Sequence, residues 1–343
     1  MTNKDHIYPS PWRGKHGPLL IAEIGGNHEG DFQYAKKLTD LAIRSGADYV
    51  KFQLYRGSTF VSAVESPERI AHFEKFQLSK GQHIELAETC LEAGVGYLAS
   101  VWDLEMLDWV DRFLDVYKIG SGDLTAYPII AEFANRGKPI ILSTGLSTLE
   151  EVINAVKFLQ EINPIYETKE MLSLLQCTSM YPIEHKDANI RVMDALRTAT
   201  GLAVGYSDHT IGSMALEVAA IRGADVLEFH FTDERHNKTF RDHAISLTCA
   251  EVQALCRYLD EVEMIMGSPE KRPLDCETEA GHVTSFRRAV YSNRAVMKGE
   301  ELRHEDLVVL RPNHGVDARL FDGVSKKRAT RDLSPFEALE IED

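Results

Sequence analysis

The sequence has no cysteine pair at CxxC spacing, no excess of basic charge and no long apolar run. Its five cysteines, Cys90, Cys177, Cys249, Cys256 and Cys276, are odd in number and scattered. Such a set fits reduced thiols better than a disulfide framework or a zinc ribbon. The net charge is −15 over 343 residues. An acidic surface repels nucleic acid and anionic membrane across a Debye length, so neither is expected as a partner. An anionic small substrate stays compatible, provided lysines or arginines meet it locally. No segment is long and apolar enough to span a bilayer, and the polar start MTNKDHIYPSPWRGKHG lacks the apolar centre of a signal peptide. A soluble, cytoplasmic protein is the expectation. Low-complexity tracts are missing as well, and 44% hydrophobic with 27% charged residues is ordinary globular usage.

What the chain does have is alternation. Eight short apolar runs stand at 19–25, 48–53, 95–100, 115–121, 139–144, 172–178, 201–207 and 225–231. They are apolar through their length, as strands buried on both faces must be. Between them lie helical patterns such as 32–47 and 213–224, each ending near a glycine. The stretch from 54 to 94 reads as a loop followed by a helix over 79–94. Eight βα units suggest a (β/α)8 TIM barrel over residues 1–266, and a doubly wound open sheet is the alternative that periodicity leaves open. Residues 267–284 are polar with two prolines and read as a linker. Residues 285–343 read as a small β-rich domain, near the lower limit for a single core.

The polar residues concentrate at the C-terminal ends of the runs. Glu23, Lys51 with Gln53, Ser100, Lys118 with Ser121, Ser143, Cys177 to Ser179, Ser207 to His209, and Glu228 with His230 stand there in order. A barrel gathers these ends on one face, where its active sites are built. Any single charge in an apolar strand could be a salt-bridged structural residue. The same bias at all eight ends points to a site. Lys51, Lys118, Ser121, Ser143 and Ser207 suit a small anion carrying phosphate and carboxylate. His209 and His230 could share a divalent metal through neutral imidazoles, leaving open positions for Lewis-acid chemistry. Glu23 fits either a base or a buried partner of a lysine.

At this point the motifs resemble a known family, the sialic acid (N-acetylneuraminate) synthases. IAEIGGNHEGDFQYAKKL, DYVKFQLY, KIGSGDLT, PIILSTGLSTLEEV, LLQCTSMYP, VGYSDHT and EFHFT follow that family's order and spacing. The tail, with KGEELRHEDLVVLRPNHGV, is similar to the antifreeze-like SAF domain that ends those enzymes. The resemblance implies condensation of phosphoenolpyruvate with N-acetylmannosamine or a related amino sugar, by a homodimer with swapped SAF domains. It implies a divalent metal on His209 and His230, Mn2+ first, with Mg2+ or Co2+ as alternatives. Lys51, Ser100, Lys118, Ser121, Ser143, Ser179 and Ser207 would surround phosphoenolpyruvate, with Glu23 as acid/base. Gln53, Tyr181 and Asp242 would meet the sugar, joined by Phe286 and Arg311 from the partner's SAF domain. The sequence departs from the family pattern at Ser179, Phe229, Arg241 and the stretch Ser100 to Asp103, with Trp102 where phenylalanine is usual. These departures bear on which sugar is taken, with legionaminic and pseudaminic acid precursors as further candidates. A phosphoenolpyruvate-dependent synthase for another aldehyde is the competing enzyme reading. A carbohydrate-binding protein that lost its chemistry is the competing non-enzyme reading.

Overall fold

The computed structural model describes residues 10–340. The first nine residues of the polar N-terminal stretch and the last three of the chain lie outside the described residues. Two compact units divide the chain, residues 1–267 and 268–343.

The first unit is a closed eight-stranded parallel barrel. Its strands are β1 (Gly17–Glu23), β2 (Tyr49–Leu54), β3 (Gly96–Val101), β4 (Tyr117–Ile119), β5 (Ile140–Ser143), β6 (Leu172–Cys177), β7 (Ala203–Asp208) and β8 (Val226–His230). They pair in sequence order, and β1 pairs with β8 to close the ring. The barrel is therefore the expected TIM architecture, and the open sheet is excluded. Each strand turns alternate side chains in and out. Outward residues such as Leu20, Ala22, Val50, Phe52, Leu142, Leu174 and Val204 join the helices in the main core. Inward residues Leu19, Ile21, Leu98, Val116, Ile141, Leu175, Ala203 and Val226 form a separate apolar plug, with Trp12.

Helices follow the strands where the periodicity predicts them. Phe32–Ser45 starts on Asp31, whose side chain accepts from the backbone amides of Gln33 and Tyr34. It stops at Gly46, which takes the left-handed conformation (φ 99°) that a C-cap requires. Lys80–Glu92 opens on a capping box between Ser79 and Gln82. The segment before it corrects the loop reading. Gly57–Phe60 and Pro67–Phe76 are both helical, the second starting on a proline that pre-sets the first turn. They escape the periodicity test because they bury few of their own residues, Gly57 in the first and Phe76 in the second.

The second unit has its own core of Val290, Val296, Leu302, Leu307, Val316, Val324, Ala329, Leu333 and Leu339. Strands β9 (Ala289–Ser292) and β10 (Leu307–Leu310) pair antiparallel, and isolated bridges such as Tyr291 to Ala338 and Val296 to Leu333 extend the β character. The stretch read as a linker contains two short helices, Asp275–Glu279 and His282–Ser285. Among the described residues, no helix is long and apolar enough to cross a membrane.

Candidate active site

The strand register sets the site. Glu23 on β1 lies between Lys51 on β2 and His230 on β8 as Cα partners. Gln53 pairs with Ser100, Ser100 with Lys118, Cys177 with Ser207, and Ser207 with Glu228. Each of these residues lies two positions, or four, beyond an inward residue at the barrel's other end, so their side chains share the interior. They surround a cavity of about 700 Å³ at the C-terminal face.

The floor of the cavity is ionic and buried. Lys51 Nζ contacts Glu23 Oε2 and stands 3.6 Å from Glu228 Oε2. Lys118 Nζ stands 3.6 Å from Glu228 Oε1 and donates to Ser143 Oγ at 2.6 Å. Ser207 Oγ donates to Glu228 Oε1 at 2.8 Å, and Gln53 Nε2 donates to Glu23 Oε1 at 3.0 Å. Two ammoniums and two carboxylates thus meet on the buried floor of the cavity. Burial pushes the Glu23 carboxyl up; the Lys51 ammonium opposes this and Glu228 reinforces it. Burial acts the same way on Glu228, but there Lys118 and Lys51 together overcome it and hold the carboxyl at about 2. Burial also lowers the pKa of the Lys118 ammonium, with Glu228 opposing.

Beside this floor stands a pair of imidazoles. The rings of His209 and His230 are 5.4 Å apart, and Tyr181 packs on His209 at 4.0 Å. His209 Nδ1–H donates to the Thr178 carbonyl at 2.7 Å, so in the neutral ring Nε2 carries the lone pair; burial works to lower the His209 pKa, but Cys177 and this carbonyl outweigh it and raise it. Cys177 Sγ lies 3.9 Å from the same Nδ1. His230 is kept neutral, by burial first and then by His209 and Lys51. Its Nδ1 is buried without a hydrogen-bond partner, 3.9 Å from Asp242 Oδ2. Among the described residues no group of three or more His, Cys, Asp and Glu side chains could hold a metal ion. The two imidazoles could together offer a metal ion two nitrogen ligands.

One side of the cavity mouth is aromatic. Phe60 and Trp102 stack at 4.6 Å and 6°, with Tyr55 and Phe73 packed on them. Phe76 and Phe240 continue the apolar side. Opposite chemistry comes from the loop after β8, where Arg241 lies over the Tyr181 ring at 4.6 Å and donates to Asp242 at 3.0 Å.

The cavity lining contains Glu23, Lys51, Gln53, Ser100, Lys118, Ser121, Ser143, Ser179, Tyr181, Ser207, His209, His230 and Asp242. Ser121 Oγ accepts from the Gly145 amide at 3.0 Å. A Cβ on Gly145 would collide with the hydroxyls of both Ser179 and Ser121, so only glycine lets these two serines meet here. Phe286 and Arg311 come together in the second unit. The Arg311 guanidinium is 5.6 Å from the Phe286 ring, which is 57% exposed and stacked on His282.

Two groups of lining residues had no role in the sequence reading, Trp102 apart. Glu228 bridges both lysines, and its position two residues before His230 on the inward parity was the available signal. The aromatic mouth comes mainly from the segment read as loop, where Ser66-Pro67 was the helix-start signal.

Comparison with known proteins extends over nearly all of this. A family model described as the NeuB family matches residues 38–271. The N,N'-diacetyllegionaminic acid synthase of Legionella pneumophila is 33% identical, over 92% of this chain and 91% of its own. The N-acetylneuraminate-9-phosphate synthase of Mus musculus is 33% identical, over 79% of this chain and 77% of its own. The crystal structure of an N-acetylneuraminic acid synthetase from Leptospira borgpetersenii, in complex with citrate, superposes with a TM-score of 0.70 at 27% identity. That match covers 77% of this chain and 90% of that one.

Proposed function

The chain belongs to the NeuB family and is an enzyme of its phosphoenolpyruvate-dependent transferase kind; from that premise we propose that it condenses phosphoenolpyruvate with an amino-sugar aldehyde. The acceptor is N-acetylmannosamine or a relative, and the product is N-acetylneuraminate or a related nonulosonate, of the legionaminic or pseudaminic kind among others. The methylene carbon of phosphoenolpyruvate bonds to the aldehyde carbon, water adds at the enol carbon, and the carbon–oxygen bond breaks to release inorganic phosphate.

The observation that carries this reading is the pair of buried ammoniums, Lys51 and Lys118, each 3.6 Å from the one carboxylate of Glu228. Such a group is costly inside a barrel unless a ligand uses it. With Glu23 and Glu228 the floor is close to neutral, so a ligand with phosphate and carboxylate is favoured only when further positive charge is present. The His209–His230 pair fits that need, since the orphaned Nδ1 of His230 and the Nε2 of a neutral His209 ring would both be metal-ligating nitrogens. A divalent ion held by these two, Mn2+ before Mg2+ or Co2+, would supply Lewis acidity toward the aldehyde oxygen. Lys118 with Ser143, and Lys51, hold the phosphate and carboxylate ends. Ser100, Ser121, Ser179 and Ser207 add hydroxyl donors without charge. Glu23, set between Lys51 and Gln53, can take a proton from the attacking water and pass it to the new alkoxide. Gln53, Tyr181 and Asp242 border the acceptor.

The second unit fits an antifreeze-like SAF domain in a swapped homodimer, with Phe286 and Arg311 entering the partner's site. Mixing His230→Ala chains with Arg311→Ala chains tests it: each is inactive alone, and exchange gives hybrid dimers with one intact site of two, so a 1:1 mixture should recover up to about a quarter of the parent activity. No rescue after verified exchange removes the swap.

For the main reading, the full chain is incubated with phosphoenolpyruvate, a divalent salt and a panel of amino sugars. Phosphate release and the product mass are followed. We expect a product mass equal to both substrates plus water less phosphoric acid. His230→Ala should lose bound metal and at least about 10²-fold in turnover. Absence of phosphate release with every amino sugar and every one of the three metals would leave only the other-aldehyde synthase.

A further inference from the structure

We propose that the aromatic side of the cavity mouth, centred on Phe60 and Trp102, is the surface that chooses the acceptor. It selects an N-acylated sugar aldehyde whose far end is apolar, such as a deoxy carbon or a second acylamino methyl, over one ending in phosphate. This inference rests on the condensation read above, and names the acceptor class within it.

Three observations converge. The first is the division of the cavity. Phosphoenolpyruvate needs the cations and hydroxyls of the floor, so the acceptor takes the remaining wall. On that wall four rings close on one another: Phe60 on Trp102 at 4.6 Å, Tyr55 on Trp102 at 5.5 Å, and Phe73 edge-on to both Phe60 and Tyr55 at 4.9 and 5.0 Å. Flat rings bury C–H faces and methyl groups, and they offer a phosphate no partner for its hydration shell.

The second is that the wall is built to stay in place. Asp103, next to Trp102, is 5% exposed. It accepts from Arg56 Nε and from Thr59 Oγ1 at 2.8 Å, so the loop helix carrying Phe60 is tied to the end of β3. A wall that merely filled space would not need an ionic clamp between two loops.

The third concerns charge. Arg56, the cation behind the wall, is matched by Asp103 and by Glu105 at 2.7 Å. Arg241 is matched by Asp242, and Arg69 lies over the Phe73 ring at 5.7 Å. Each of these cations is thus already engaged by a carboxylate or an aromatic face, whereas a phosphate monoester calls for cations free to converge on it.

The test uses the full chain with saturating phosphoenolpyruvate and Mn2+, and three acceptors. These are N-acetylmannosamine, its 6-phosphate, and a 6-deoxy analogue carrying a second acetamido group. Phosphate release should give kcat/KM at least about ten-fold higher for the deoxy diacetamido sugar than for the 6-phosphate. Trp102→Ala should cut that ratio about ten-fold or more, while Trp102→Phe, which keeps a ring, retains most of it. Phe60→Leu, which keeps apolar volume without the stacking partner, gives a second reading, with a smaller fall in the same ratio. Preference for the 6-phosphate, or an unchanged ratio in both Trp102→Ala and Phe60→Leu, overturns the inference and leaves the condensation standing. No phosphate release from any of the three overturns the condensation and this inference with it.

Discussion

At one end of the barrel interior stand Ile21, Leu98, Val116, Ile141, Leu175 and Val226. Two residues further along the same strands stand Glu23, Ser100, Lys118, Ser143, Cys177 and Glu228. Each pair shares a strand, with Val116 one residue before β4, an inward orientation and near-complete burial. What differs is chemistry alone. The apolar end shows that these strands tolerate a dry packed core. The polar end is therefore a choice made against stability, since buried ionic groups are often replaceable by apolar ones at no loss. A fold that spends its interior this way at one end only is keeping that end for a ligand.

The largest expected effect comes from making the polar end resemble the other. The double variant Lys118→Met/Glu228→Gln removes one buried charge of each sign. Its midpoint of thermal unfolding should stay at or above that of the parent, because the remaining Lys51–Glu23 pair is still matched. Its phosphate release should fall by about 10³-fold. A matching fall in unfolding midpoint would mean that the charges hold the fold, and the contrast between the two ends would lose its meaning.

Much of this contrast was legible in the sequence because it depends on parity. A run such as DVLEFHF holds Val226, Glu228 and His230 on one face and Leu227 and Phe229 on the other. The strand ends were readable to a residue or two: the run 172–178 is β6 (Leu172–Cys177) and 225–231 is β8 (Val226–His230). The run 115–121 is shorter as a strand, Tyr117–Ile119, because the backbone enters a tight turn at Ser121–Asp123. Treating the runs as uniformly apolar hid the gradient along their inward faces, and with it the bridging role of Glu228. The aromatic mouth was hidden for another reason. Its helices pack mostly through rings at a cavity edge, so they carry no clean 3.6-residue stripe. The stretch 267–284 read as linker because its helices, of five and four residues, bury none of their own residues.

The next effect concerns the apolar end and should be the mirror image of the first. Ile141 is the Cα partner of Lys118 and sits wholly buried in the plug. Ile141→Ala leaves a cavity, and the unfolding free energy should drop by about 2–5 kcal/mol. Turnover per folded molecule at 25 °C should stay within about two-fold, since the side chain packs into the apolar plug rather than lining the cavity. Denaturant unfolding and steady-state kinetics on the same preparation check both halves. A large loss of turnover without loss of stability would show that the two ends are coupled.

The smallest effect asks whether a buried polar group off the catalytic face behaves as a burden alone. His83 lies between Lys80–Glu92 and the strands, 2% exposed, with Nδ1 3.0 Å from the Tyr97 hydroxyl. Burial lowers its pKa to about 3, from the 6.5 of a free imidazole. The unfolded chain then binds the extra proton between those values. Stability from this site is fully present above pH 6.5 and is lost as pH falls toward 3, at about 1.4 kcal/mol per pH unit. In His83→Leu/Tyr97→Phe, which removes both members of the pair, the unfolding free energy between pH 6.5 and 4.5 should fall less steeply by about that slope. Denaturant midpoints across this range give the comparison. Parallel curves for the two proteins would mean that His83 gains its proton without unfolding, and that the layer outside the strands admits charge as readily as the catalytic face does.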